Sequence, residues 1–334
     1  MRSISTLFAI ALAAVLLYFS LRGIEWGRVG HILAHANIPF VLLCCGIFSL
    51  ALFLRAFRWR ILLQAEGEVS IPAAFWATSA GYFGNNFLPA RAGEVVRSLM
   101  ISASSNLSKA FVLTTALCER LADAIALVTI SALVLLTIPF RPAWLPAKLF
   151  AVAGACGIVA LAILPYLDRA SKALLKALPL PHSICERLQH LVEHILRGIR
   201  SFHHAGRLGG FLSLTCVIWC LDALTTILGA KALGIGITVP VAFLLVAGLG
   251  LGSALPSTPG YVGIYQFVAV NVLTPFGIGR TDAIAYILFF QALIYVCIGV
   301  WGLIALIKFK RPNYLRTSAD PVSIGAGEES LVAD

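Results

Sequence analysis

Charge is scarce in this sequence. Asp, Glu, Lys and Arg make up 12% of its 334 residues, about half of the roughly 25% found in soluble domains. Too few charged side chains remain to cover a water-facing surface, which excludes an ordinary soluble globule. No CxxC pair occurs among the eight cysteines, and seven of them fall in apolar runs. They read as small packing residues in helices rather than a disulfide framework or a metal knuckle. A P-loop and a Gly-rich nucleotide fingerprint are also missing. The GxxxG within "GLGLG" (248–252) suits close helix packing. Neither a cofactor nor a metal is expected.

What is present is hydrocarbon, with 60% hydrophobic residues. Apolar runs at 4–21, 38–54, 149–166, 210–230 and 283–307, and a longer one at 111–140, approach or exceed the length that crosses a bilayer, about 20 residues for about 30 Å of hydrocarbon. No small-x-small cleavage site follows the first run before Arg22, Glu25 and Arg28, so it is expected to be a retained helix rather than a signal peptide. The net charge of +10 then sets orientation and meets anionic headgroups instead of nucleic acid.

One long polar stretch, 167–207, carries seven Lys/Arg against three Asp/Glu. The positive-inside rule places it in the cytoplasm with the basic "KFKRPNYLR" tail. Counting back, the loop around Arg141 and Lys148 lies outside, and Arg2, Arg55, Arg58, Arg60 and residues 98–109 lie inside. Both termini are therefore expected in the cytoplasm. Two segments, 71–97 and 239–275, are too broken by Gly and Pro for one clean span each. Parity has each return to the side it entered, although the second also reads as two short full spans.

These two segments resemble each other. A shift of 167 residues lays "AGYFGNNFLPARAG" (80–93) on "AGLGLGSALPSTPG" (247–260), matching Ala80, Gly81, Leu88, Pro89 and Gly93 to Ala247, Gly248, Leu255, Pro256 and Gly260. "PAAF" at 72–75 is echoed one residue out of step by "PVAF" at 240–243. Entering from opposite faces, the copies would form an inverted-topology repeat, a design that places substrate where broken helices meet. Thr258 as N-cap and Pro259 as first helical residue would start a half-helix at one tip, and Pro89 at the other. Both helix N-termini would then offer unpaired N–H groups to an anion such as phosphate.

Charges cluster around the first tip. Arg91, Glu94 and Arg97 share a helical face, and Glu119 and Asp123 share another, with Arg120 between them in the same span. A charge deep in a bilayer costs about 2.5–3.5 kcal/mol on insertion scales, so Glu119 and Asp123 are expected to pair with Arg91 or Arg97 across a polar cavity. The alternative is an interfacial cytoplasmic helix at 90–105 whose charges bridge locally. Asn85 and Asn86 either end the first half-helix or contact ligand. Asp222 is a lone acid in the fifth span, and Ser257, Thr258, Tyr265 and Gln266 accompany the second tip. "HLVEH" (190–194) matches the inverted zinc-peptidase pattern. It has no acidic third ligand nearby and sits on a charged amphipathic connector, so it reads as a solvated face.

"NNFLPARAGEVVR", then "LSKAFVLTTALCERLADAIAL" and "LPSTPGYVGIYQ", together resemble the lysylphosphatidylglycerol synthase transmembrane region, a flippase-like family, over about residues 4–310. The resemblance implies handling of polar lipids: aminoacylated phosphatidylglycerol, polyprenyl-linked sugars or hopanoids. It also implies a translocation module without the aminoacyl-transferase domain of the full synthases, hence no enzyme.

The expected fold is an all-α polytopic membrane protein, with about six full transmembrane helices and two re-entrant helical hairpins related by an inverted repeat. Residues 1–312 form one membrane domain, with halves at about 38–140 and 208–310 and the connector at 167–207; 313–334 are a disordered tail. The expected function is passive or ion-driven movement of an anionic-headgroup, polyprenyl- or hopanoid-type lipid across the bacterial inner membrane. Arg91 and Arg97 would hold phosphate, while Glu94, Glu119 and Asp123 position them or exchange protons. The alternatives are a membrane partner of a lipid-biosynthetic enzyme, acting through 167–207, and a metalloenzyme built on His190 and His194. A homo-oligomer is compatible with either membrane role.

Overall fold

Three helices begin in the same way, with a capping residue followed two positions later by proline: Asn37 before Pro39, Ser70 before Pro72 and Thr238 before Pro240. Proline fixes a helical φ where its missing N–H is not needed. The side chains of Asn37 and Ser70 accept the backbone N–H of Phe40 and Ala73, satisfying donors that the first turn leaves open. In the computed structural model, which describes residues 2–88, 92–137, 205–254 and 259–309, no strand occurs among the described residues.

The helices are α1 (Arg2–Leu21), α2 (Trp26–Ala34), α3 (Ile38–Leu63), α4 (Ile71–Phe87), α5 (Gly93–Ser104), α6 (Lys109–Thr137), α7 (Ala205–Ala232), α8 (Val239–Gly252), α9 (Ile264–Leu273) and α10 (Arg280–Phe309). Among the described residues, Ile38–Leu63, Lys109–Thr137, Gly206–Ala232 and Arg280–Phe309 are long and apolar enough to cross a membrane. Large apolar side chains such as Leu42, Leu50, Leu121, Leu133, Val300 and Ile307 point outward, as a hydrocarbon-facing surface requires. The expected span at 149–166, the loop around Arg141 and Lys148, the connector through residue 204 and the 313–334 tail lie outside the described residues. So do His190 and His194. Among the described residues no group of His, Cys, Asp and Glu could hold a metal ion.

Both Gly/Pro-broken segments are helix–break–helix units. Phe87 ends α4 because Leu88, which precedes Pro89, is extended (φ −103°, ψ 147°), the conformation that a following proline imposes. α5 then packs back on α4 through glycine: a Cβ on Gly84 would sit 2.8 Å from the Gly93 Cα, and one on Gly93 would overlap the Gly81 carbonyl. α8 and α9 close in the same manner, with Gly248 and Gly252 against Val268 and Ile264.

The second half-helix starts later than the sequence reading expects: α9 begins at Ile264 after a 3-10 turn at Pro259–Tyr261. α5 runs from Gly93, and the expected start at Pro89 lies outside the described residues. The reason at the second tip is backbone geometry. Gly260 and Gly263 have φ of +76° and +90°, which breaks any helix started at Pro259. The Gly263 N–H is capped by the Gln266 side chain at 2.8 Å.

Two large apolar clusters dominate the packing among the described residues. One gathers Trp59, Leu63, Ala77, Ile101 and Phe111 from α3–α6; the other gathers Ala242, Leu245, Ala269, Tyr286 and Ile287 from α8–α10. Between these cores α3 packs on α7, α4 on α10, and α6 on α8.

Candidate functional site

The charged side chains around the first hairpin close on one another. Arg58 of α3 donates to Asp123 Oδ1 at 2.7 Å, to Glu119 Oε1 at 2.8 Å and to Thr215 Oγ1 at 3.0 Å. Arg97 of α5 reaches Glu119 Oε2 at 2.8 Å and Glu94 Oε2 at 2.5 Å. Arg120 reaches Glu94 Oε1 at 2.8 Å and Asp123 Oδ2 at 3.7 Å. The six side chains form a ring of alternating sign: Arg58, Glu119, Arg97, Glu94, Arg120, Asp123. Every member touches two opposite charges, so three cations and three anions neutralise each other.

Aromatic faces complete the enclosure. The Arg97 guanidinium lies 4.4 Å from the centre of the Trp59 ring, Arg58 4.9 Å from Phe211 and Arg120 5.3 Å from Tyr82. Arg58, Arg97 and Glu119 are each only 1% exposed. With both lobes of its carboxylate occupied by arginines, Glu119 is the hub joining α3, α5 and α6.

The other edge of the ring opens onto a cavity of about 240 Å³ between the two hairpins. Asn85, Asn86, Glu94, Arg120 and Asp123 line it from the first half, and Gly250, Ser253, Tyr261 and Tyr265 from the second. Arg55 of α3 and Asp222 of α7 form an ion pair in the same wall. Asn85 donates to Glu94 at 3.1 Å and Asn86 to the Tyr82 carbonyl at 2.9 Å, so both sit in the last turn of α4 and face the cavity as well. Pro240, one position off its counterpart Pro72 in the 167-residue shift, starts α8 just as Pro72 starts α4.

The second tip is braced from α10. Gln291 Nε2 and the Tyr295 hydroxyl both donate to the Gly260 carbonyl, at 3.0 and 2.6 Å, and Gln266 donates to Gln291. The left-handed backbone at Gly260 thus presents a carbonyl to two side chains that also line the cavity.

The model of the family described as lysylphosphatidylglycerol synthase TM region matches residues 6–302. The chain belongs to that family. It is a multi-pass membrane protein. Among curated relatives it is 28% identical over 306 residues to the UPF0104 membrane protein PH1989 of Pyrococcus horikoshii, covering 84% of this chain and 88% of that one. It is 24% identical over 295 residues to the Glycosyltransferase AglD of Haloferax volcanii, covering 78% of this chain but 46% of that protein. The chain therefore matches less than half the length of the relative named as a glycosyltransferase.

Within this family member, the expected residues divide. Asn85, Asn86, Glu94, Arg120, Asp123 and Tyr265 line the cavity; Arg97 and Glu119 stand behind them in the ring; Gln266 braces the tip. Arg91, Ser257 and Thr258 lie outside the described residues. The expected pairing of Glu119 with Arg97 is present, whereas Asp123 takes Arg58 and Arg120. Asp222 is not a lone acid, because Arg55 holds it.

Arg55 and Arg58 are the residues that sequence reading missed. Ending the second span at residue 54 left them as solvated cytoplasmic charges, but α3 runs on to Leu63. The signal was the apolar sequence beyond them: Trp59, Leu62 and Leu63 are buried, so both arginines lie within the helix that carries the run rather than past its end.

Proposed function

We propose that this chain is a lipid flippase or lipid transporter of the bacterial inner membrane, passing the polar headgroup of an anionic, polyprenyl- or hopanoid-type lipid through the cavity between its two hairpins. One observation carries the reading: a cavity between two broken-helix units whose largely apolar wall holds the charged side chains of Arg55, Glu94, Arg120, Asp123 and Asp222, in a chain that is otherwise apolar. Charges buried among the apolar helices of a membrane protein are characteristic of substrate and ion paths. Arg120, whose side chain is 29% exposed, is open to a headgroup; Arg97 is enclosed and organises the ring. This reading moves the phosphate-contacting role from Arg97 to the arginines of the cavity wall.

The two halves are read here as an inverted-topology repeat. α3, α4, α5 and α6 match α7, α8, α9 and α10 in order and kind. α3 packs on its counterpart α7, and the α4–α10 contact has its counterpart in α8–α6. Reciprocal pairing of this kind is what a twofold relation produces, and in transporters it supports exchange between two access states. About six spans, two re-entrant hairpins and cytoplasmic termini complete the proposed topology. The mechanism requires no bond-making, and the driving force is passive or an ion gradient.

Reconstitution into lipid vesicles tests the proposal. Headgroup-labelled lipid should cross faster than in protein-free vesicles; equal rates refute it. A second reading, a membrane partner of a lipid-modifying enzyme, draws on the partial match to a protein named as a glycosyltransferase. It has lipid turnover depend on residues 167–207, with replacement of the cavity charges having no effect.

A further inference from the structure

The arginines of the site are not equally committed. Arg58, Arg97 and Arg120 each contact two carboxylates, and Glu94, Glu119 and Asp123 each contact two arginines. Arg55 and Asp222 pair only with each other among the described ion pairs. Opening a contact of Arg58 or Arg97 strips a partner from a guanidinium that is only 1% exposed, and opening one of Arg120's breaks the circuit that Glu94 and Asp123 close. Opening the Arg55–Asp222 pair leaves the ring intact.

That pair also stands in the cavity wall, beside unused hydrogen-bonding capacity. Trp219, one turn from Asp222 on α7, lines the cavity, and its indole N–H is buried with no hydrogen-bond partner among the described residues. The Arg55 guanidinium lies 6.0 Å from the Trp219 ring and 5.9 Å from Tyr82. A planar guanidinium and a neutral N–H donor on one wall match a tetrahedral oxyanion, which takes a forked arginine contact plus further donors.

Building on the transporter reading above, we propose that Arg55, assisted by the Trp219 N–H, is the receptor for a phosphodiester headgroup, and that Asp222 is its internal competitor. The headgroup's phosphate displaces the Asp222 carboxylate from Arg55, and the freed carboxylate faces the cavity, where hydroxyls or water can donate to it. Asp222 thereby sets affinity: the pair keeps Arg55 from sitting uncompensated in a low-dielectric wall, and it weakens the headgroup's hold so that the lipid leaves again. The six-membered ring is the rigid frame behind this exchange.

Equilibrium binding to the purified full chain in detergent tests the assignment, using short-chain phosphatidylglycerol, diacylglycerol of the same chain length and inorganic phosphate as probes. Asp222→Asn should bind phosphatidylglycerol about tenfold more tightly and Arg55→Gln about tenfold more weakly, the size expected for one charge-assisted contact. Diacylglycerol binding should be the same in all three proteins. The double variant Arg55→Gln/Asp222→Asn, neutral at both positions, should behave as Arg55→Gln, and it keeps the test open if a single variant does not fold. Inorganic phosphate binding with the same ordering but at lower affinity supports a lipid headgroup; phosphate binding as tight as the lipid's overturns the lipid source. If the wild type binds phosphatidylglycerol and Asp222→Asn binds it equally or more weakly, the competition is overturned while the transporter reading stands. If the wild type binds no phospholipid, both fall.

Discussion

Arg55 and Asp222 are 167 residues apart in the chain and paired in space. The same interval superimposes the two broken segments in sequence. Under the proposed inverted repeat the pair would join equivalent positions of the two halves, and the axis relating them would pass near the contact of α3 and α7. The ion pair is also a feature of the cavity wall.

Arg58 is the cation whose loss the fold should tolerate least. Arg58→Met leaves the buried carboxylates of Glu119 and Asp123 with one arginine each, a class of change that costs about 3–5 kcal/mol. Thermal unfolding in detergent should show a large drop. Adding Glu119→Gln and Asp123→Asn to the same protein should recover much of it, because the uncompensated charges are then gone.

Arg120 should separate function from stability. Its side chain is partly exposed to the cavity, so Arg120→Gln is expected to lower stability by about 1 kcal/mol or less while slowing lipid movement severalfold. Arg97→Gln should behave oppositely in the melting experiment, with a loss of several kcal/mol. Parallel melting and vesicle assays on the two variants check this division.

Gly93 is the closing point of the first hairpin. A methyl group there would enter the space of the Gly81 carbonyl and the Asn85 backbone, so Gly93→Ala must force α5 off α4. Overpacking on this scale costs about 1–3 kcal/mol, and the displacement should also separate Asn85 from Glu94. Gly27→Ala, where nothing lies within 4 Å of the new carbon, should melt like the wild type.

Gly260 and Tyr295 should be coupled. A Cβ at Gly260 would overlap the Tyr295 hydroxyl, and its φ of +76° adds about 1–2 kcal/mol for any L side chain. Tyr295→Phe alone removes one hydrogen bond, about 1 kcal/mol. In the double variant the overlap is relieved, so its loss of stability should be smaller than the sum of the two.

Much of the fold was legible in the sequence because apolar length and Gly/Pro interruption are direct consequences of spanning a bilayer. The Gly/Pro-broken stretches at 71–97 and 239–275 became helix hairpins, and the acids of α6 found arginine partners. What escaped was tertiary. Nothing local distinguishes Arg58 from a headgroup-facing arginine until α3 is known to continue past it. The half-helix at Pro259 was misplaced because capping chemistry at Thr258 competes with two glycines downstream, and a left-handed backbone at Gly260 and Gly263 won. Arg97 has the right spacing for a ligand contact, yet the Trp59 ring and two carboxylates enclose it.

The central claim is that a lipid headgroup passes through the cavity between the hairpins, and blocking that cavity tests it most directly. Ala254 lines it in the turn just after α8. Wild-type protein and Ala254→Trp, reconstituted at equal density and shown to melt alike, would be compared by the rate at which headgroup-labelled lipid changes leaflet. The wild type should exceed protein-free vesicles and the filled variant should fall to their rate. A filled variant that moves lipid as fast as the wild type would contradict the account.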